Sequence, residues 1–225
     1  DQLPGPLFQP PRLWDAYTFW PDVYLLRIPD DAESGLYWPA VGMYDFADMQ
    51  RLPVYSGAES EPRDDLRLPP LKVLGTGRTQ PSERLDYRLG EFARLSGYDL
   101  EPGSDRIRAG QTLTVTLYYE SVSPADRELI RFLQLHNPEA GVVAQHDAPP
   151  QQGANPVWAW LPGETILDRV TLTVAAGAPP GSYTLYAGFY DPERDNHRVD
   201  VLDAAVMPVP EQWAAIAEIE IEAAP

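Results

Sequence analysis

His146 and Asp147 are adjacent, and a carboxylate beside an imidazole can orient the ring and tune its proton affinity for general acid–base work. No nucleophile motif accompanies the pair. Cysteine is absent, which removes thiolate catalysis, disulfides and Cys-ligated zinc together. The pair lies at an expected strand end before Pro149-Pro150, where both side chains satisfy turn amides, so no catalytic residue is expected. A second constellation, Asp191, Glu193 and Asp195 with Asn196 and Asp200, could gather oxygens around Ca²⁺, which takes about six to eight of them. Its spacing departs from the known calcium loop. Asn196 stands where the loop needs Gly and Leu202 where it needs Glu, so a solvated hairpin tip competes with the metal reading. The third constellation is aromatic: Trp158 and Trp160 flank Ala159 and would share one strand face, with Trp14 and Trp20 in an equivalent neighbourhood upstream. Exposed, these rings would stack on sugar C–H faces; buried, they are core of a β-sheet protein.

Composition narrows the classes. The formal net charge of −17, from 34 acidic against 17 basic groups, opposes binding to nucleic acid or anionic lipid. Lys72 is the single lysine beside sixteen arginines and reads as compositional bias rather than a site. No run of 18 apolar residues exists to cross a bilayer, and a chain starting at Asp1 reads as a mature or excised piece.

The elements that would position these side chains are strands. Leu113, Val115, Leu117 and Tyr119 alternate with threonines and Tyr118; Val170, Leu172 and Val174 alternate with Thr171 and Thr173. Tyr183, Leu185, Ala187 and Phe189 form another such face, and Ala217, Ile219 and Ile221 alternate with glutamates. Helical spacing is absent apart from a short turn around 210–215, and twenty-five prolines punctuate the apolar segments. Strands are expected near 91–100, 111–120, 128–136, 142–146, 169–174, 182–190, 197–202 and 215–222, enough for an immunoglobulin-like antiparallel β-sandwich.

Part of this pattern recurs. Gly35, Tyr37, Gly42, Tyr44 and Asp45 fall on Gly181, Tyr183, Gly188, Tyr190 and Asp191 at one constant offset, which also maps Trp14 onto Trp160 and Tyr24, Leu26 and Ile28 onto Val170, Leu172 and Val174. The expected domains are a partial sandwich repeat at 1–75, a linker at 76–89 rich in Gly, Pro and charge, and a complete sandwich at 90–225. The first copy lacks counterparts of 91–146. Its apolar face at Tyr24, Leu26, Ile28, Tyr37, Val41 and Met43 is therefore expected to be covered by the second unit or by another chain.

The phrases Gln145-His146-Asp147, Pro149-Pro150, Trp160-Leu161-Pro162-Gly163-Glu164, Asp168, Pro180-Gly181-Ser182-Tyr183 and Gly188-Phe189-Tyr190-Asp191 resemble the extracytoplasmic C-terminal β-sandwich regions of bacterial polytopic glycosyltransferases of the protein O-mannosyltransferase-like type. The resemblance covers the second copy well and only the last half of the first. Gln134 stands where related modules often carry His, and the tip Pro192 to His197 lacks their Gly. The resemblance implies an extracytoplasmic location, periplasmic or cell-surface, and a non-catalytic structural or interaction module of a larger membrane-associated protein. Its partners would be the remainder of that protein or another chain. The alternative is a carbohydrate-binding module using Trp14, Trp20, Trp158 and Trp160; apart from the Ca²⁺ considered at Asp191, Glu193 and Asp195, no cofactor is expected.

Overall fold

The computed structural model describes residues 13–15, 21–55, 61–75 and 80–223. The chain divides into two compact units, Asp1–Asp30 and Asp31–Pro225. In the first, residues 21–30 form no strand, and Tyr24, Leu26 and Ile28 are exposed, whereas Val170, Leu172 and Val174, their counterparts at the constant offset, are buried. The matching phase therefore does not produce a matching strand. An extended segment becomes a strand only when a neighbour takes up its backbone N–H and C=O groups, and 21–30 has no ladder partner among the described residues.

The second unit opens with an arm of four short strands. β1 (Gly35–Tyr37) pairs antiparallel with β4 (Leu71–Val73), and β2 (Ala40–Val41) pairs with β3 (Leu66–Arg67). Tyr37 and Val41 remain exposed.

The body follows. Its strands are β5 (Glu83–Leu89), β6 (Ala93–Glu101), β7 (Arg106–Arg108), β8 (Thr112–Ser121), β9 (Ile130–Asn137), β10 (Gly141–Ala148), β11 (Thr165–Thr173), β12 (Gly181–Asp191), β13 (His197–Arg198), β14 (Val201–Leu202) and β15 (Ala214–Glu222). One sheet runs β10-β9-β12-β15-β7 with β13 beside β12; the other runs β11-β8-β6-β5-β14. All pairs in the body are antiparallel except β15 with β7. The protein is all-β, and the two sheets share one apolar core. Tyr183, Leu185, Phe189, Val170, Leu172, Ile219 and Ile221 all point into it, as their alternation requires. The stretch read as a linker is a strand in its second half: β5 pairs with β6 on one side and β14 on the other, with Leu89 fully buried. Its polar residues hid it, because Glu83, Arg84 and Arg88 face outward around a few core contacts.

Aromatic rings bridge the sheets. Phe189 of β12 meets Tyr119 of β8 at 5.6 Å and Phe92 at 5.3 Å, and Trp160 packs on Tyr119 at 5.5 Å. Between β5 and β6 the backbones approach so closely at Gly97 that a Cβ there would strike the Glu83 carbonyl and the Pro81 ring. Backbone cannot yield as a side-chain end can. Gly97→Ala is expected to destabilise the chain by about 1–3 kcal/mol, the usual range for overpacking, read as a lower urea midpoint at unchanged slope.

Candidate functional site

Buried charge concentrates in three knots. The first joins the sheets. Arg131 lies in phase with Leu133 and Leu135 on β9, and Asp168 in phase with Ile166 and Val170 on β11, so both point into the core. Their side chains are 1% exposed and meet at 2.9 Å, Nε to Oδ2. Arg131 Nη1 also donates to the His146 carbonyl at 2.7 Å and sits 3.2 Å from His146 Nδ1; Asp168 Oδ1 accepts the Gln151 N–H at 2.8 Å. A guanidinium only donates, so in this contact Nδ1 takes the acceptor role. The neighbouring Asp147 is bonded instead by the Tyr190 hydroxyl. His146 and Asp147 thus serve different partners, and the imidazole faces a cation rather than a nucleophile. Although the residue as a whole is exposed, partial withdrawal of its carboxyl from water raises Asp147 above the ordinary range, against the opposing pull of Arg131, Tyr190 and His146. Burial, reinforced by Asp168, pushes the Tyr119 phenol well up, and among the described residues that hydroxyl has no hydrogen-bond partner.

The second knot fastens the arm. Glu164, in the turn between Trp160 and β11, places Oε2 on the Leu161 N–H at 2.9 Å and Oε1 on Lys72 Nζ of β4 at 2.8 Å. Lys72 also donates to Asn155 Oδ1 at 2.7 Å, and the Leu36 N–H of β1 donates to the Ala154 carbonyl at 2.8 Å. The one lysine, read from composition as bias, is the cation that binds arm to body. A cleft of about 280 Å³ opens beside it, lined by Ser34, Gly75, Gln151, Glu164 and Thr165 among others.

The third knot holds Asp191. Its Oδ2 lies 3.3 Å from Arg127 Nη1 and 3.6 Å from Arg194 Nε, and its Oδ1 accepts the Glu193 N–H at 2.9 Å. Glu193 and Asp195 are exposed on the tip. Among the described residues no group of three or more His, Asp or Glu side chains converges on a metal position, so the Ca²⁺ reading of Asp191, Glu193 and Asp195 finds no ligand set. The cause is local: two guanidiniums already neutralise the one buried carboxylate.

The strand face expected to be shared by Trp158 and Trp160 does not form either. Trp158 and Trp160 occupy a 3₁₀ turn, Val157–Ala159 and its cap, and not a strand, since Pro156 and Pro162 leave no room for a ladder. Trp160 is 0% exposed, with its Nε1–H on the Asn155 carbonyl at 2.8 Å, while Trp158 is 48% exposed. Trp14 is partly buried in the first unit; Trp20 lies outside the described residues.

An aromatic group that sequence reading overlooked lies on the outer face of the sheet containing β9, β12 and β15. Tyr186 meets Trp213 at 4.9 Å, and His136 meets Trp213 at 5.5 Å and Tyr186 at 6.3 Å. Phe132 lies across Gly188, where a Cβ would come within 2.5 Å of the ring, and the Arg198 guanidinium sits over both Phe132 and Trp213. The available signal was Trp213 directly preceding an alternating strand.

No family model matches the chain, and no curated protein sequence matches it.

Two outcomes follow from the first knot. Removing one partner, Arg131→Met or Asp168→Leu, leaves a buried charge alone and is expected to cost about 3–5 kcal/mol, whereas the double variant recovers most of that loss; urea unfolding of the four proteins measures it. A raised carboxyl binds its proton more tightly in the folded chain. The stability this contributes is fully present below the ordinary carboxylate range and is lost as pH rises through the raised value. Asp147→Asn is therefore expected to raise the urea midpoint at neutral pH and leave it unchanged in acid.

Proposed function

We propose that the chain is a non-catalytic structural or interaction module, an immunoglobulin-like β-sandwich with an accessory arm, that works outside the cytoplasmic membrane within a larger membrane-associated protein. The observation that carries this reading is where apolar surface remains wet. Most exposed large apolar side chains among the described residues fall between Leu13 and Leu74, including Leu25 and Leu26 in the first unit and Phe46, Met49, Leu66 and Leu71 in the second. The body from 83 to 222 keeps nearly all of its large apolar side chains inside.

Such surface forfeits about 25 cal/mol per Å² that contact with another protein would recover, and patches of this kind mark interaction sites. The partner in this reading is the remainder of the parent protein. Lipid is disfavoured because the surrounding charge is acidic. The extracytoplasmic placement and the glycosyltransferase association rest on the resemblance of the Trp160–Glu164 and Gly188–Asp191 phrases. The geometry adds a reason for the first phrase, since Glu164 is what the arm grips.

Hydrogen exchange tests the reading. In the isolated chain, amides of 21–30 and 43–55 are expected to exchange fast, and to gain protection when the flanking sequence of the parent protein is joined to it. Equal exchange in both forms sinks the proposal. Protease accessibility in spheroplasts checks the location, where digestion only after membrane lysis would place the module inside the cell.

A further inference from the structure

The outer aromatic group has polar neighbours: the Gln134 and Gln145 side-chain amides make no hydrogen bond among the described residues, and Asp147 accepts from Tyr190. Antiparallel register sets Gln145 of β10, Gln134 of β9, Tyr186 of β12 and Ala215 of β15 side by side in one row across the sheet. The next row holds Asp147, Phe132 and Gly188, and the row on the other side begins the His136–Thr184 pair. Because Cβ atoms alternate, these residues share the face opposite the core. Gln134, His136, Tyr186 and Trp213 are half-buried, and Gln145 and Asp147 exposed. The Trp213 Nε1–H is withdrawn from solvent with no acceptor among the described residues.

We infer that this face, with Tyr186, Trp213 and His136 as ring surfaces and Gln134, Gln145 and Asp147 as hydrogen-bonding groups, is a binding site for a neutral saccharide. Pyranose C–H faces pack on aromatic rings, while sugar hydroxyls donate to a carboxylate and both donate to and accept from side-chain amides. A carboxylate at Asp147 and a further one at Glu218, which holds Thr184 at 2.7 Å, disfavour an anionic sugar. Arg198, the cation beside these rings, is committed: it is over Phe132 at 5.3 Å and Trp213 at 4.6 Å and donates to the Glu211 carbonyl at 3.0 Å.

A protein partner fits less well. Protein interfaces need roughly 1,000 Å² with an apolar centre. Here Phe132 is covered and the half-exposed rings of Tyr186, Trp213 and His136 are flanked by amides and a carboxylate, so the face offers a small ring surface but not the broad apolar centre of a protein interface. The site is separate from the arm and independent of the interaction reading above.

Calorimetric titration of the whole chain with cellotriose, maltotriose and chitotriose tests it. At least one is expected to bind with a dissociation constant of about millimolar or tighter. Gln134→Ala combined with Gln145→Ala, both outside the core, is expected to weaken that binding at least about tenfold at unchanged melting temperature, as is Tyr186→Ala. Trp158→Ala, at the exposed tryptophan elsewhere, is expected to leave it intact. No heat with any of the three sugars overturns the inference. So does binding that survives the Gln134 and Tyr186 variants or disappears with Trp158→Ala.

Discussion

Two side chains of opposite charge point into an otherwise apolar core from strands in different sheets. The pairing of Arg131 with Asp168 constrains the rest of the body more than any single apolar contact does. Apolar residues tolerate exchange with one another at modest cost, but a lone buried ion does not, so slipping β9 or β11 by one residue would turn one charge outward and strand the other. The pair thus selects a register. Its net contribution to stability is small by comparison, because desolvating both ions consumes most of their attraction. The surrounding bonds show how that cost is contained: Gln151 N–H takes the second oxygen of Asp168, and the His146 carbonyl and ring take Nη1 of Arg131. In this way the pair also ties down β10 and the turn after it, which would otherwise be an edge strand and a proline-rich loop held only by one neighbour.

That turn leads directly to the second organising feature. Residues 154–164 carry Trp160 into the aromatic cluster with Phe92, Tyr119 and Phe189, and the same short segment offers the Ala154 carbonyl, Asn155 and Glu164 to the arm. Core packing and arm docking are therefore coupled through a few residues. Trp160 Nε1–H on the Asn155 carbonyl fixes the backbone whose side chain then receives Lys72. The coupling explains why a phrase as specific as Trp-Leu-Pro-Gly-Glu stands at this place: the tryptophan fills the core, the prolyl-glycyl turn reverses the chain, and the glutamate both bonds the Leu161 N–H and holds the cation.

Alternation made the long strands legible. Leu113 to Tyr119, Val170 to Val174 and Tyr183 to Phe189 each point to one face and lie there, because the period of two survives any tertiary context that leaves one side wet. β5 was illegible because its outward residues are charged and its core contacts few. The repeat misled for a different reason. Tyr24, Leu26 and Ile28 carry the phase of a strand, but phase specifies a face and not the neighbour that must complete the ladder. The Arg131–Asp168 pair was not read from the sequence; the signal available was a charge standing in core phase among apolar residues, a conflict between local pattern and residue type. Lys72 and the Tyr186–Trp213–His136 group were not visible, since composition says nothing about pairing over eighty residues and an aromatic at a strand margin has no periodic signature.

The same pairs settle how the acidic composition is distributed. With 34 acids against 17 bases, cations are the scarce species, and the fold directs several of them inward: Arg131 to Asp168, Lys72 to Glu164, Arg127 to Asp191. Each sets a cation against a carboxylate that the fold withdraws from water. The ion pairs cancel locally, so the net charge of −17 is carried by what remains outside. A surface acidic in this way repels copies of itself and phosphate-bearing surfaces at distances up to a Debye length, about 8 Å at physiological ionic strength. Close approach is then left to partners that are neutral or basic. That constraint is consistent with the two proposals made above, a protein surface over Phe46 and Leu66 of the arm and an uncharged ligand on the outer sheet face.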